Sequence, residues 1–347
     1  MTKNIVSLLL AWNVAFIDEE AVTKVNIPIV YVVEDDYIMP TIVSMESAVK
    51  NINDTSFYEF IIMVTVGKKD NIKFLLNKFQ QEHNDKCIVQ IKEISPPHGN
   101  NDDLLLIIPQ ILSAKDKLLY LTSDTLVRHD LKNIFETNID REYLGGFIDP
   151  QSHKINLIRR INKHAKEYIS SCVLLMNCKN LRQLTKKIDF LQRKKRNNNF
   201  YYSSQDILNI ICGGKIKVLP SQWILFDSSN QCLSTQEEDC GKKKPLFINY
   251  VFFKPWITKS SHVKLHREWY MLFKTIKNKY KFKDLEVQSL WLLELKKYLS
   301  SIAFDVFLLI SSWILVDIKN PTLSAAFSEV FIKTFFSQNN VGFSLTY

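Results

Sequence analysis

The sequence predicts an α/β fold: a mixed, mostly parallel sheet flanked by helices, followed by a helical, basic C-terminal extension. Three observations carry this. A continuous run rich in β-branched residues, IPIVYVV at 27–33, stops at Glu34, Asp35 and Asp36. A second apolar run, KLLYLTSD at 117–124, stops at Asp124. Between them strand-like and amphipathic stretches alternate. Runs apolar throughout suit strands covered on both faces, and their alternation with helical patterns marks parallel strands joined by crossover helices. Carboxylates at the carboxyl ends of such strands stand where α/β sheets place ligand-binding groups.

In chain order, the apolar run at 5–16 follows a single Lys and leads into Asp18, Glu19 and Glu20 without a small-residue cleavage site, so it reads as a buried strand or helix. After the strand at 27–33 come a helix through TIVSMESAVKNI (41–52), a strand through EFIIMVTV (59–66), an amphipathic helix through NIKFLLNKFQQEH (71–83) and a strand through CIVQIKEI (87–94). No internal repeat is present. Hydrophobic residues make up 46% of the 347, with eight Gly and ten Pro, which excludes disordered, fibrous and low-complexity classes. The apolar run at 302–316 carries Asp305 and is shorter than the roughly 20 residues a spanning helix needs, although it could lie on a bilayer.

The formal charge of +9 points to anionic partners: nucleic acid, nucleotides, phosphorylated sugars or an acidic membrane. Residues 257–299 concentrate it, with ten Lys and Arg against four acids, interleaved with Trp269, Tyr270, Phe273, Tyr280, Phe282 and Trp291 at helical intervals. Such a stretch either lies on an anionic membrane or packs its aromatics on the main domain and leaves a solvated basic face. RKKR (193–196), beside Asn197, and KKK (242–244) read as exposed loops. A nucleic-acid binder is excluded because no reading element or aromatic stacking motif accompanies the charge.

The six cysteines form no C-x-x-C pair, which argues against zinc and for small buried hydrophobes in the cytosol. His262 and His266 have H-x-x-x-H spacing, but Val263 stands where a metalloprotease needs its Glu, and both are expected at the surface. There is no phosphate-binding G-x-x-x-x-G-K-[ST], no G-x-S-x-G and no G-x-G-x-x-G.

The strongest local signal is YLTSDTLV (120–127), a buried strand breaking into a turn that bears Asp124. With IPIVYVVEDDY, GGFIDP (145–150), YISSCVLLMNCKNLR (168–182), SSQDILN (203–209) and NYVFFKPW (249–256), it makes a series of blocks in order over 27–256. In these blocks the chain resembles the family 8 glycosyltransferases, especially the bacterial lipopolysaccharide core hexosyltransferases, whose strand end reads YLDxDxLV. The resemblance implies a GT-A-like nucleotide-diphospho-sugar transferase fold over 1–256, with 257–347 as the basic, aromatic extension. It further implies transfer of a hexose from a UDP-sugar to a lipopolysaccharide-type glycan acceptor with retention of configuration, on the inner face of the cytoplasmic membrane.

By the same resemblance, Asp124 is a ligand of a divalent metal, manganese or magnesium, and Lys254 faces the diphosphate. Asp35, Asp36 and Tyr37 hold uracil and ribose, while Gln205 and Asp149 flank the donor sugar and the incoming hydroxyl. Read from residue type alone, Asp35 and Asp36 could instead cap the following helix and Asp124 could be an Asx-turn residue, although the strand ends favour a site role for them, while Lys254 suits the surface as well as a site.

The chain departs from the family at several of these places. Thr122 stands for the first metal Asp, Asn249 for the metal His and Leu105 for a donor-pocket Arg. Ser170, Cys172, Ser204 and Ile224 replace family Asn, Gly, Asp and Asn. Losing one anionic and one nitrogen ligand lowers metal affinity by orders of magnitude unless the nucleotide phosphates carry most of the binding. The alternative expectation is therefore a catalytically degenerate member that binds or scaffolds.

Overall fold

Strand β1 (Val25–Val33) is parallel to β2 (Ser56–Thr65) along its whole length, with Val25 opposite Ser56 and Val33 opposite Val64. On its other side it is parallel to β4 (Lys117–Leu121). Helices α1 (Ile38–Lys50), α2 (Asp70–Glu82) and α3 (Leu104–Ile111) make the crossovers that place β1, β2, β3 (Cys87–Ile94) and β4 in register. Beyond β4, β7 (Ile169–Asn177) runs antiparallel to both β4 and β6 (Leu144–Ile148), and β8 (Ile216–Val218) is parallel to β6. The sheet order is β3-β2-β1-β4-β7-β6-β8. A three-stranded sheet follows β4 in the order β5 (Thr125–Val127), β10 (Phe247–Asn249), β9 (Ile224–Phe226). The remaining helices are α4 (Lys132–Phe135), α5 (Ile155–Ile161), α6 (Cys178–Leu181), α7 (Thr185–Asn197), α8 (Ser204–Cys212) and α9 (Lys264–Tyr280).

This computed structural model describes residues 23–34, 37–65, 70–95, 103–150, 155–197, 203–227, 245–251, 254–256 and 264–280. The chain divides into units of residues 1–283 and 284–347, and the description concerns the first. The runs at 5–16 and 302–316, Asp35, Asp36, the lysines at 242–244 and His262 lie outside the described residues.

Both faces of the sheet are covered, as the unbroken apolar runs require. Ile29, Tyr31, Phe60, Ile62, Leu119 and Leu121 point to the layer of α1, α2 and α9. Their strand neighbours Val30, Ile61, Met63, Leu118 and Tyr120 point to the layer of α3, α7 and α8. The two layers thus follow from the period-2 alternation of side chains along each strand. Gly146 is needed in β6 because a Cβ there would lie 2.8 Å from Ile169 Cδ1 of the adjacent strand.

The described part of the basic, aromatic stretch, α9, turns rings inward. Trp269, Ile276 and Tyr280 of α9 are buried in the core with Trp256, while Arg267, Met271 and Lys274 on the opposite side are exposed. His266, expected at the surface, is fully buried beside the Tyr250 ring, because it falls one turn before Tyr270 on the inward side of the helix. Residues 193–196, expected in a loop, continue the backbone of α7, since Lys and Arg are good helix formers and extend a periodic stretch. Cys87, Cys172, Cys178 and Cys212 are buried, and burial pushes the Cys87, Cys172 and Cys178 thiols up to about 12. Among the described residues no helix is long and apolar enough to cross a membrane.

Three ion pairs tie α9 and its supports together: Arg128 with Glu268, Lys279 with Glu82, and His83 with Glu46. Burial by itself would raise the Glu46 carboxyl. The His83 hydrogen bond and charge, with Lys279 and Lys50, outweigh it and hold the group below its ordinary value of 4.5.

Two predictions follow from this packing. Trp269→Ala costs about 3–5 kcal/mol of stability in urea titration, whereas Met271→Ala on the exposed side changes it by less than about 0.5 kcal/mol. Because the folded Glu46 carboxyl is depressed, its contribution is complete above the ordinary value of 4.5 and is lost as pH falls through the lower folded value. Thermal melts of Glu46→Gln therefore lie below the parent at neutral pH and converge with it in acid.

Candidate active site

The site is built at the carboxyl ends of β1 and β4, where the break between β4 and β5 leaves a turn. Thr122 N–H donates to the Cys172 carbonyl at 2.9 Å, extending the β4 pairing with β7 by one residue, and Thr125 N–H closes the turn on the Thr122 carbonyl at 3.1 Å. A stripe of small polar side chains on α1 clamps this segment. Thr41 Oγ1 meets Ser123 Oγ at 2.7 Å, Ser44 Oγ donates to the Thr125 carbonyl at 2.5 Å, and Ser47 Oγ accepts from Val127 N–H at 2.9 Å. Asn51 Nδ2, just past the helix, donates to the Val127 carbonyl at 3.1 Å. Spacings of three and four residues put all four on one helix face.

Asp124 projects from the turn into a closed polar cluster. Its Oδ1 accepts from Thr122 Oγ1 at 2.5 Å and from Asn249 Nδ2 at 3.0 Å, and its Oδ2 takes the Lys254 ammonium in an ion pair. Asn249 is brought there by the antiparallel pairing of β10 with β5, which sets it opposite Thr125, and its Nδ2 also donates to Thr125 Oγ1 at 2.9 Å. A carboxylate can only accept, so the amide must turn its N–H groups toward Asp124. Asn249 is 1% exposed, which fixes that orientation.

The residues at the metal position do not fit a hard divalent cation. Such ions require several oxygen donors, preferably anionic. Here one carboxylate is already neutralised by an ammonium, Thr122 spends its proton on that carboxylate, and Asn249 presents hydrogens. Among the described residues no three His, Cys, Asp or Glu side chains gather into a metal-binding group.

A second cluster surrounds Gln205 at the start of α8. Its Oε1 accepts from both Ser171 N–H and Ser171 Oγ at 2.9 Å, and its Nε2 donates to Asp149 Oδ2 at 2.9 Å and to the Tyr168 hydroxyl at 3.1 Å. Tyr168 in turn donates to Asp206 Oδ1 at 2.5 Å. Asp206 Oδ2 accepts from Ser203 N–H and Oγ, completing a capping box that starts α8. Burial, and then the hydrogen bond to Asp206, hold the Tyr168 phenol far above its ordinary value, so it remains a donor. The Gln205 amide is thereby gripped at both ends.

Asp124, Gln205, Ser171 and Tyr37 line one cavity of about 490 Å³, with Glu34 and Leu105 on its wall. Leu105 is buried and presents an apolar surface there. Tyr37 stands edge-on to Trp256, ring centroids 5.9 Å apart, and Trp256 packs on Trp269 of α9 at 5.5 Å. The Lys254 ammonium lies 5.9 Å from the Trp256 ring centre, so α9 carries the segment that delivers the cation. Of the other altered positions, Ser204 donates to Asp103 at 3.2 Å, Ser170 and Cys172 are buried in β7, and Ile224 begins β9. Asp35 and Asp36 lie outside the described residues.

Several residues escaped the sequence reading. Tyr168 and Ser171 lie in a block read for its resemblance to the family and for its altered Ser170 and Cys172, and neither was singled out; their signal was that they are the polar residues at the start of an apolar strand. The Thr41, Ser44 and Ser47 stripe carried a legible signal, small hydroxyls at three-residue spacing in an apolar helix.

A mostly parallel sheet with its cavity at the β1 and β4 ends is the frame of a GT-A-like nucleotide-diphospho-sugar transferase fold. The model for glycosyl transferase family 8 matches residues 28–260, and the chain belongs to that family. A Haemophilus influenzae protein named "Putative glycosyltransferase" is 27% identical over 160 residues, which is 44% of this chain and 47% of that one. The match thus spans about half of that relative. Among solved structures, the bifunctional glycosyltransferase WbbM superposes with a TM-score of 0.60 at 16% identity, over 74% of this chain and 51% of its own. The galactosyltransferase LgtC, solved with donor and acceptor sugar analogues, gives 0.58 at 16% identity over 76% of this chain and 100% of its own. At these identities the superpositions show the fold.

Tyr168→Phe removes one hydroxyl that serves both Gln205 and Asp206. It should cost about 1–2 kcal/mol in chemical denaturation, a loss that a bystander tyrosine would not produce.

Proposed function

We propose that this chain transfers a hexose from a UDP-sugar to a glycan acceptor of lipopolysaccharide type with retention of configuration. One observation carries the reading: a single cavity is lined by Asp124, Gln205 and Tyr37, and behind its wall Asp124 is paired with Lys254 and Gln205 with Asp149. Tyr37, with Asp35 and Asp36, holds the uridine, Lys254 meets the diphosphate, and Gln205 and Asp149 flank the sugar and the incoming hydroxyl.

In the reaction the bond from the anomeric carbon to the phosphate oxygen breaks, and its electron pair leaves with UDP. The acceptor oxygen forms the new bond. Retention requires entry on the face that UDP leaves, so the acceptor proton passes to the departing phosphate oxygen. Charge grows on that phosphate, and an ammonium held nearby stabilises it. The exposed face of α9, with Arg267, Met271 and Lys274 at helical spacing, suits an anionic membrane surface, which supports an enzyme working at the inner face of the cytoplasmic membrane.

A second reading, a degenerate member that only binds, draws on the apolar Leu105 wall and on the neutral Thr122 and Asn249. Release of UDP from a panel of UDP-hexoses, with truncated lipopolysaccharide as acceptor, separates the two. Gln205→Ala and Asp149→Asn should each lower kcat by about 100-fold or more while donor affinity holds, in protein that melting curves show to be folded at the assay temperature. Donor binding without turnover in the parent chain would establish the binding-only reading, and nuclear magnetic resonance of the product reads the anomer.

A further inference from the structure

Resting on the nucleotide-sugar reading of the site, we infer that the donor diphosphate is bound and neutralised without a metal, by the Lys254 ammonium, with Asp124 as the residue that positions it.

The first ground is saturation. Both Asp124 oxygens are engaged by donors of the chain itself, Thr122 and Asn249 on one and Lys254 on the other. A cation arriving at Oδ2 would have to displace an ammonium or sit against it, and like charges at contact distance repel strongly in a partly enclosed site. The ion pair is such a place: the Lys254 and Asp124 side chains are 18% and 16% exposed.

The second ground is the direction of the dipoles. Asn249 is buried by β10 with its Nδ2 hydrogens toward Asp124 and Thr125, and a rotation that offered its oxygen would set two acceptors face to face. Thr122 has its proton on Asp124. The donors around the carboxylate therefore stabilise an anion. The Lys254 stem has enough rotatable bonds to turn its ammonium from Asp124 Oδ2 to an oxygen of a diphosphate beside the cluster.

The third ground is preorganisation. Lys254 is followed by Pro255, which limits the backbone, and by Trp256, which is wedged between Tyr37 and Trp269. The Tyr270 hydroxyl donates to the Pro255 carbonyl, and the Tyr250 hydroxyl donates to the Leu265 carbonyl at 2.8 Å. The chain thus holds a cation at the mouth of the turn by covalent and packing constraints. Asp124 keeps that ammonium aimed before a nucleotide arrives.

The test is calorimetric titration of the full chain with UDP, once in EDTA and once with manganese. The inference expects binding in EDTA that manganese changes by less than about threefold. Lys254→Met should weaken UDP about tenfold or more while leaving uridine, which lacks phosphates, unaffected. Lys254→Arg should retain most of the affinity. Asp124→Asn is the sharpest arm, because it keeps a hydrogen-bonding partner for Lys254 while removing the carboxylate: UDP affinity should still differ by less than about threefold between EDTA and manganese, where loss of a metal ligand would abolish a manganese-dependent affinity. Melting curves and uridine binding report whether each variant keeps its fold. Binding of UDP that appears only with manganese, or a manganese-dependent affinity that Asp124→Asn abolishes, would overturn the inference and leave the nucleotide-sugar reading standing. No binding of UDP in either buffer would overturn both.

Discussion

The parallel pairing of β1 with β2 on one side and β4 on the other is the constraint from which the rest of the site descends. It runs nine residues along the β1–β2 edge, from Val25 to Val33, so the strands end together at Glu34 and Thr65. The pairing of Val30 with Tyr120 then fixes where β4 stops, and the turn at 122–124 falls beside the end of β1. Shifting either register by one residue would exchange Ile29 and Tyr31 for Val30 and Val32 on the α1 face. It would also carry Ser123 and Thr125 away from Thr41 and Ser44. The placement of Asp124 is thus a consequence of core packing two strands away.

What was legible in the sequence was whatever is local in the chain. The strands announced themselves because a sheet covered on both faces needs unbroken apolar runs, and the turn announced itself because Asp124 interrupts one. Gln205 and Asp149 were legible only as members of motifs, and the structure shows them hydrogen-bonded to each other across 56 positions. The partners of Asp124 were legible only through the resemblance, which put Thr122, Asn249 and Lys254 at its site but not their hydrogen bonds to it. Its partners Asn249 and Lys254 lie 125 and 130 positions away, and only the antiparallel pairing of β10 with β5 brings them in. Periodicity finds elements, but it says nothing of which element ends meet.

The basic, aromatic helix shows the same limit differently. Its composition fitted a membrane surface and a core-packed amphipath equally well, since both call for rings on one side and charges on the other. The described part resolves the inner side. Trp269 stacks on Phe273 at 5.2 Å, Trp256 packs against it, and Glu268 holds Arg128 through two hydrogen bonds. The rings are thus engaged in holding the segment that bears Lys254, and the charges on the outer side are what remains available to a partner.

The altered residues at the turn are better understood as a set than as separate losses. An Asp at position 122 would have set two carboxylates beside one ammonium, and a buried uncompensated charge is costly. With Thr there, its hydroxyl donates to Asp124, and the single carboxylate is matched by the single Lys254. An imidazole at 249 could place only one N–H toward the cluster, whereas the Asn amide supplies both hydrogens, one to Asp124 and one to Thr125. Each replacement removes a group that a cation would use and adds one that completes a hydrogen bond within the chain. Random decay of a metal site would leave unmatched polar groups at its centre; here Thr122, Asp124, Thr125, Asn249 and Lys254 satisfy one another. A cluster that closes in this way, held by two sheets and a helix, is the observation on which the proposed metal-free binding of the diphosphate rests.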